Sequence, residues 1–580
     1  MKVKLAKTGG FCMGVRRAME MVLAEANKKE GPLFTLGPLI HNRQVLDLLA
    51  SKGVVPLDDP NGIKGGRIVI RAHGIPPQKR KAIKETGLKI IDATCPKVAR
   101  VQAIIRYHTN KDYAAVIVGD TDHAEVIGLM GYSKTPVHLI QSVKDVSALP
   151  SMDQLFVVAQ TTQNEEKFHH VVNALKERFP QILVFDTICD ATHQRQQEVR
   201  SFAGQVGGVV VVGGYDSGNT QRLAQVSQDA GLPTFHVETE KDLDKAALSR
   251  MEVVGVAAGA STPNWMINNV VKEIQGLRGE GKSSLGYRLL QALRFLTLSN
   301  LLVASGAFSF AYAIPLLSGR DPHLTFPLVT FLYIYAMHVF NRFVDKGASA
   351  YNDPDRATFL QTHRPLLIIS GLGAIAIALT LSITSGIPIF LVLIGLSILG
   401  IIYSIPLVPK RFRHNHRYIR IKDIPGSRSL SEALAWVAVI TLLPLLKTDR
   451  ILWQAVAIAI FAVFSMSYIR ATLFSIFQVQ GDLIVGTETL PITLGERKTL
   501  LILKAILMAT GIILVGSPLL GLVGPFSYIL FLPLLTLWLC LTAYEKRWLY
   551  PGIALESLVE ANFMLAGLLA LIWQALPWQP

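Results

Sequence analysis

Cysteine is scarce in this chain, with four in 580 residues. That excludes a disulfide scaffold and fits a reducing compartment. Charge is scarce too, at 17% of residues against 50% hydrophobic. With a mean hydropathy of +0.38, this excludes a disordered chain and argues against a wholly soluble one. Acidic residues are outnumbered, 42 Asp and Glu to 57 Lys and Arg, for a net charge of +15. A nucleic-acid binder and a basic membrane protein both produce such a total. No apolar run follows Met1: MKVKLAKTGGFCMGVRRAME carries no signal-peptide core, so the N-terminal part is expected to be cytosolic.

What is present divides the chain in two. Up to about Lys272, short β-branched runs end in small-residue loops that open amphipathic helices: RIVIRAHG, KIIDATCP, AAVIVGD, VVVVGGYDSGN, VVGVAAGASTP. This alternation predicts βαβ units, parallel sheets, and ligands gathered at the carboxyl ends of the strands. Residues 276–286, rich in Gly, Ser and charge, read as a linker. Beyond it, apolar stretches of about 20 residues recur, each long enough to span a bilayer. They lie near 294–316, 323–342, 365–384, 387–408, 430–446, 452–474, 500–520, 525–544 and 553–576, predicting an all-α, nine-helix transmembrane domain. Lys346, Arg356, Arg364, Lys410, Arg411, Arg413, Arg417, Arg420, Lys422, Arg497, Lys498, Lys546 and Arg547 fall in alternate loops. The positive-inside rule puts those loops with the N-terminal half, and the basic charge then has a topological cause that argues against nucleic acid.

Cys12, Cys95 and Cys189 are about 90 residues apart, each in a loop entering a helix. A helix N-terminus favours thiolate, the form that binds metal. The spacing suggests three related lobes converging on one centre, although cysteine is also a common buried hydrophobe. Cys540, inside an apolar span, reads as packing. Other strand-end loops carry His41, His73, His123 with Glu125, and Gln160 with Thr161 and Thr162. Ser217, Gly218, Asn219 and Ser261 sit in Gly-rich turns opening helices, where free N–H groups and the helix dipole suit phosphate. Ser261 also reads as a simple N-cap.

The stretches GFCMGVRRA, HN, AHG, DATCP, HxEVxG, QTT, DTIC-AT-RQ and GAS, in that order, closely resemble the 4-hydroxy-3-methylbut-2-enyl diphosphate reductase (IspH/LytB) family across roughly residues 1–275. The resemblance implies an α/β domain of three lobes in pseudo-threefold arrangement around a [4Fe–4S] cluster held by Cys12, Cys95 and Cys189. It further implies a prenyl diphosphate held by His41, His73, His123, Thr161, Ser217, Gly218, Asn219 and Ser261, with Glu125 supplying a proton assisted by Thr161. A ferredoxin or flavodoxin is the electron donor it implies. Ala124, Gly218 and Ala257 stand where the family usually has Pro, Ser and Thr.

The membrane half, 287–580, resembles the UbiA prenyltransferase family in YSIPLVPKRF, IKDIPGSRSLSEALAWV and GDLIVGTETLPITLGERKT. That resemblance implies Mg²⁺ and a prenyl diphosphate at Asp-rich motifs after spans two and six. Here the first motif keeps Asn341 and Asp345 but has Arg342 where Asp is usual, with Asp353 and Asp355 at altered spacing. The second keeps Asp482 and has Gln478 where another Asp is expected. The leading reading is a reductase tethered to membrane lipid. The alternatives are a prenyltransferase whose soluble half supplies or senses substrate, and an anchored redox sensor. Intact Glu125 and Thr161 favour the first over the sensor, and the eroded carboxylates favour it over the transferase.

Overall fold

The computed structural model describes all residues except 29, 64, 278–284, 345–352, 406–419, 486 and 577–580. The chain forms two units, residues 1–280 and 281–580. The expected linker lies largely outside the described residues.

The first unit has twelve strands: β1 Lys2–Leu5, β2 Leu33–Leu36, β3 Val54–Leu57, β4 Arg67–Ile70, β5 Lys89–Asp92, β6 Ala114–Val118, β7 Val137–Ile140, β8 Leu155–Ala159, β9 Leu183–Phe185, β10 Gly208–Val212, β11 Thr234–Val237 and β12 Val253–Ala258. They make three four-stranded sheets, ordered β3-β2-β4-β5, β7-β6-β8-β9 and β11-β10-β12-β1. Every pairing is parallel. The third order repeats the other two only because β1 returns beside β12, in register from Lys2↔Val253 to Leu5↔Val256. Three sheets of the same strand order therefore recur, matching the three related lobes that the cysteine spacing suggested.

Burial separates inner from outer strands. The inner strands β4, β8 and β10 are buried throughout, whereas the outer strands β1, β5 and β9 are partly exposed. Helices cover both faces of such sheets, which is why inner strands read as unbroken apolar runs rather than alternating ones. Each fully buried Val contributes roughly 1.5–3 kcal/mol over an exposed one. Ligand-facing polar groups are left to the loops.

In the second unit, eight helices among the described residues are long and apolar enough to cross a membrane: Leu301–Ser318, Arg364–Ser385, Ile387–Ser404, Ser427–Leu445, Trp453–Phe477, Glu496–Leu519, Phe526–Glu545 and Ile553–Ala575. The stretch expected at 323–342 forms a 20-residue helix, Thr325–Val344, outside that set. The first expected span, 294–316, is broken. A helix Leu285–Leu298 ends at Asn300, whose φ of 66° is left-handed, and a new helix begins at Leu301. A continuous apolar pattern hides this break, because one αL residue redirects the chain without altering hydropathy. Ser427–Leu445 contains a π-helical turn at Ala438–Leu442, next to Pro444, whose missing N–H removes one rung of the ladder. Trp436 and Phe310 pack against Phe563 at ring separations of 5.1 and 5.4 Å in the bundle core. Ile369 and Ile512 stay 68% and 71% exposed, amid many exposed Leu and Ile. So large an apolar surface fits lipid, not water.

Candidate active site

The three cysteines occupy equivalent places: Cys12 follows β1, Cys95 follows β5 and Cys189 follows β9, the outer strands on the same side of each sheet. They open the helices Met13–Lys28, Pro96–Thr109 and Asp190–Arg200. Pro96 suits the first helical position because the N–H it lacks has no intrahelical partner there. Each cysteine N–H donates to a carbonyl on the adjacent inner-strand loop: Cys12 to Ala260 at 3.1 Å, Cys95 to Ala72 at 2.9 Å and Cys189 to Thr161 at 2.9 Å. Those carbonyls stand the same number of residues beyond β12, β4 and β8.

Side chains close a ring around the thiols. Glu198, on the Cys189 helix, accepts from Lys7 N–H at 2.6 Å, Thr8 N–H at 2.8 Å and Thr8 Oγ1 at 2.6 Å. Arg195 on the same helix donates to the Gly10 carbonyl at 2.7 Å. Arg17, on the Cys12 helix, donates to the Thr94 carbonyl at 3.0 Å, and Lys97 meets Asp190 at 2.6 Å. A methyl on Gly14 would lie 2.6 Å from Cys95 Sγ and 4.0 Å from Cys12 Sγ, so glycine is required beside the paired sulfurs. Burial pushes the Cys95 thiol up, and negative charge on Cys12 and Cys189 pushes it the same way. A metal group bound here would take these cysteines as thiolates, and its positive charge would offset the cost of burying them. Among the described residues, no three His, Cys, Asp or Glu side chains are spaced to hold a single metal ion. Three thiols from three lobes suit a larger iron–sulfur group.

The inner-strand loops supply the polar groups. His41, His123 and Ser217 stand the same number of residues beyond β2, β6 and β10, and His73 and Ser261 are likewise matched beyond β4 and β12. The His73 ring lies 5.6 Å from His41 and 5.3 Å from His123. Burial lowers all three imidazoles, His123 to about 4, which makes them neutral donors near pH 7. His123 Nδ1 accepts from the Glu125 N–H at 3.1 Å, which assigns the ring proton to Nε2. Ser217 and Ser261 hydroxyls lie 3.3 Å apart, and Ser261 Oγ is 3.5 Å from the His41 carbonyl. His73 Nδ1 and Asn219 Nδ2 are buried with no protein partner, donors suited to an anion. At Gly218 an added Cβ would meet only His123 atoms, at 3.6 Å, so the missing side chain leaves space.

Glu125 is 1% exposed, and its carboxyl accepts from the Thr161 N–H at 2.7 Å and Thr161 Oγ1 at 2.8 Å. Burial pushes its pKa up despite those bonds. These contacts bring His41, His73, His123, Glu125, Thr161, Ser217 and Ser261 close to one another, and Cys189 reaches the group through the Thr161 carbonyl. Sequence reasoning missed Glu198, Lys97 and Asp190; Arg17 stood inside GFCMGVRRA and Arg195 inside DTIC-AT-RQ, both unremarked because their partners lie far away in the chain.

In the membrane half, only Asn341 and Asp482 of the three expected site residues lie among the described residues. Asn341 is exposed near the end of its helix, and Asp345 lies outside the described residues. Asp353 caps the helix Pro354–Thr362, accepting from the Arg356 N–H at 3.0 Å and pairing with Arg356 Nε at 3.2 Å. Arg356 also pairs with Glu556. Asp482 is fully buried with Arg428 at 3.7 Å. Arg470 bridges Glu432 and Glu560, the latter at 2.5 Å. Mg²⁺ needs hard oxygen ligands in a near-octahedral shell. Each of these five carboxylates instead lies against one of three arginines, cations that compete with a divalent ion for the same oxygens.

The fold and site define a three-lobed α/β protein with a thiol-lined centre, a buried acid and a cluster of buried histidine and serine loop groups, joined to a multi-pass membrane bundle. The LytB protein family matches residues 3–275 and the UbiA prenyltransferase family residues 300–558. The 4-hydroxy-3-methylbut-2-enyl diphosphate reductase of Geobacter sulfurreducens is 43% identical over 275 residues, covering 47% of this chain and 97% of that one. A solved E-1-hydroxy-2-methyl-but-2-enyl-4-diphosphate reductase from Plasmodium falciparum is 31% identical, with TM-score 0.46 over 47% of this chain and 87% of that one. A UbiA homolog from Archaeoglobus fulgidus, solved with GPP and Mg²⁺, is 16% identical with TM-score 0.35 over 48% of this chain and 99% of that one. The chain belongs to the LytB family of 4-hydroxy-3-methylbut-2-enyl diphosphate reductases and carries a UbiA-family membrane domain.

Proposed function

We propose that the N-terminal half reduces 4-hydroxy-3-methylbut-2-enyl diphosphate to isopentenyl and dimethylallyl diphosphate, tethered to the membrane by a nine-span domain and facing the cytosol. The observation that carries this reading is the buried Glu125–Thr161 pair beside three neutral imidazoles and three convergent thiols. Cys12, Cys95 and Cys189 would hold a [4Fe–4S] cluster, leaving one iron without a thiolate. When bound, that group would relay two electrons, one at a time, from a ferredoxin or flavodoxin and would act as a Lewis acid for the allylic oxygen. The chain does the rest. His41, His73, His123, Ser217, Asn219 and Ser261 hold the diphosphate through neutral donors and helix N-termini, without a divalent ion. Gly218 contributes backbone only. Glu125, kept protonated by burial, delivers a proton through or beside Thr161 to the departing oxygen, so that water rather than hydroxide leaves. The allylic C–O bond breaks, two electrons and a second proton enter the allyl unit, and either double-bond isomer results.

The arginine-paired carboxylates favour an anchor over a Mg²⁺-dependent transferase for the membrane half. One experiment tests both parts: anaerobic purification of the full chain, then iron–sulfur absorption and turnover, for wild type, Cys189→Ala and Asp482→Ala. Wild type and Asp482→Ala are expected to be coloured and active, and Cys189→Ala to lose both properties. A folded, colourless, inert wild-type chain would sink the reductase reading. Loss of reductase turnover in Asp482→Ala would sink the anchor reading.

A further inference from the structure

Arg222 lies one turn into the helix Gly218–Asp229, whose start carries Ser217, Gly218 and Asn219. Its guanidinium crosses to the neighbouring lobe, where Nη1 donates to Gln163 Oε1 and Nη2 pairs with Asp120. Those partners belong to two different loops. Asp120 follows β6 and leads into His123 and Glu125, while Gln163 follows β8 just beyond Thr161. The two loops already touch, since the Asp120 N–H donates to Gln160 Oε1 at 3.0 Å, and the β8 loop is itself held in a turn by the Gln163 N–H on the Gln160 carbonyl at 2.9 Å. Gln163 is fully buried, and its carbonyl accepts from Gln196 Nε2, on the Cys189 helix, at 3.0 Å. One side chain therefore connects the loop that grips an anion with both loops that frame the acid.

We propose that Arg222 is a positioning residue for the reductase reaction, locking the diphosphate-binding helix to the Glu125 and Thr161 loops so that substrate held at one lobe meets the acid held at another. The inference rests on the reductase reading of this site. Arg222 touches no predicted reacting atom, so its removal should misplace the acid rather than weaken substrate capture. Misplacements of this kind, on the order of an ångström, cost up to about 100-fold in rate. A second effect is electrostatic. The charged groups acting on Glu125 are Arg222, which favours its ionised form, and Asp120, which opposes it; Thr161 donates to the carboxyl and the neighbouring His123 is neutral. Removing the Arg222 charge raises the acid further, so the alkaline fall in kcat moves to higher pH.

The test compares full-length wild type, Arg222→Met and Arg222→Lys in detergent, with reduced methyl viologen as electron source. Arg222→Met should lower kcat by about 10- to 100-fold, change KM less than about threefold, and shift the alkaline limb upward. Arg222→Lys, which keeps the charge but not the fork, should lose part of the rate and keep the limb in place. Hydrogen–deuterium exchange is read on the same proteins: residues 119–125 and 160–164 should exchange faster in Arg222→Met while residues 218–229 stay unchanged. Wild-type kcat in Arg222→Met, or a rise in KM alone, overturns the proposal. If wild type itself turns over nothing, the reductase reading fails, and unaltered exchange in the two loops then overturns the clamp as well.

Discussion

Glu125 carries the chemistry of single residues here. Its carboxyl is buried, hydrogen-bonded to Thr161 alone among the described residues, and shifted upward by desolvation. A carboxyl whose folded pKa lies above its unfolded value stabilises the fold at low pH and loses that contribution as pH rises through the folded pKa. Activity follows the same direction, because the step needs the protonated form. Turnover should therefore fall on the alkaline side, and Glu125→Gln should lose about 10²- to 10⁴-fold in kcat. The variant should also lose the fall in thermal midpoint expected of wild type as pH rises through the raised Glu125 pKa. Anaerobic turnover and melting curves for both proteins check this, and a Glu125→Gln protein as active as wild type would remove the acid from the scheme. Glu125 and Thr161 were legible in HxEVxG and QTT because both follow closely on a strand, although Glu125 lies not on a loop but in the first turn of the helix Ala124–Met130. Their direct contact was not, since the residues bond across two βα units.

Whole elements explain why the thiols meet. The Cys189 helix holds the loop before Cys12 through Glu198, and the Cys12 helix holds the Cys95 loop through Arg17. The Lys97–Asp190 pair completes the circuit at an exposed position. These ties differ in strength. Glu198 is a partly buried acceptor of three charge-assisted bonds, whereas an exposed ion pair contributes about 0–1 kcal/mol. Glu198→Ala should cost about 1–3 kcal/mol and yield protein with less iron per chain and faster bleaching in air. Lys97→Ala should resemble wild type in both measurements. Equal iron content and equal bleaching rates in the two variants would mean that the ring does not organise the thiols. Sequence pattern placed the strands and helices well, because inner strands and amphipathic helices have distinct periodicities. It could not foresee that β1 closes the third sheet beside β12, a pairing between distant parts of the chain. Nor could it register the break at Asn300, because hydropathy is blind to a single φ angle.

At the scale of the molecule, the mean hydropathy of +0.38 describes neither half. One unit buries its apolar residues in three sheets; the other exposes Leu and Ile over most of its helices. The two share no secondary-structure pattern, and residues 276–286 between them are rich in Gly, Ser and charge. If the membrane half serves as an anchor, the reductase chemistry depends on residues 1–275 alone, and severing the chain changes location without changing rate. A protease site inserted in the Gly- and charge-rich segment tests this on the full-length protein in native membranes. Cleavage should move reductase turnover from the sedimenting fraction to the supernatant, with kcat within about twofold of the uncut chain and no response to added Mg²⁺ or chelator. Such a small change corresponds to well under 1 kcal/mol in the barrier. A large fall in kcat on cleavage, with iron retained, would instead mean that the bundle takes part in catalysis. Its arginine-paired carboxylates would then be the first groups to neutralise one at a time, beginning with Glu560 and Glu432 around Arg470.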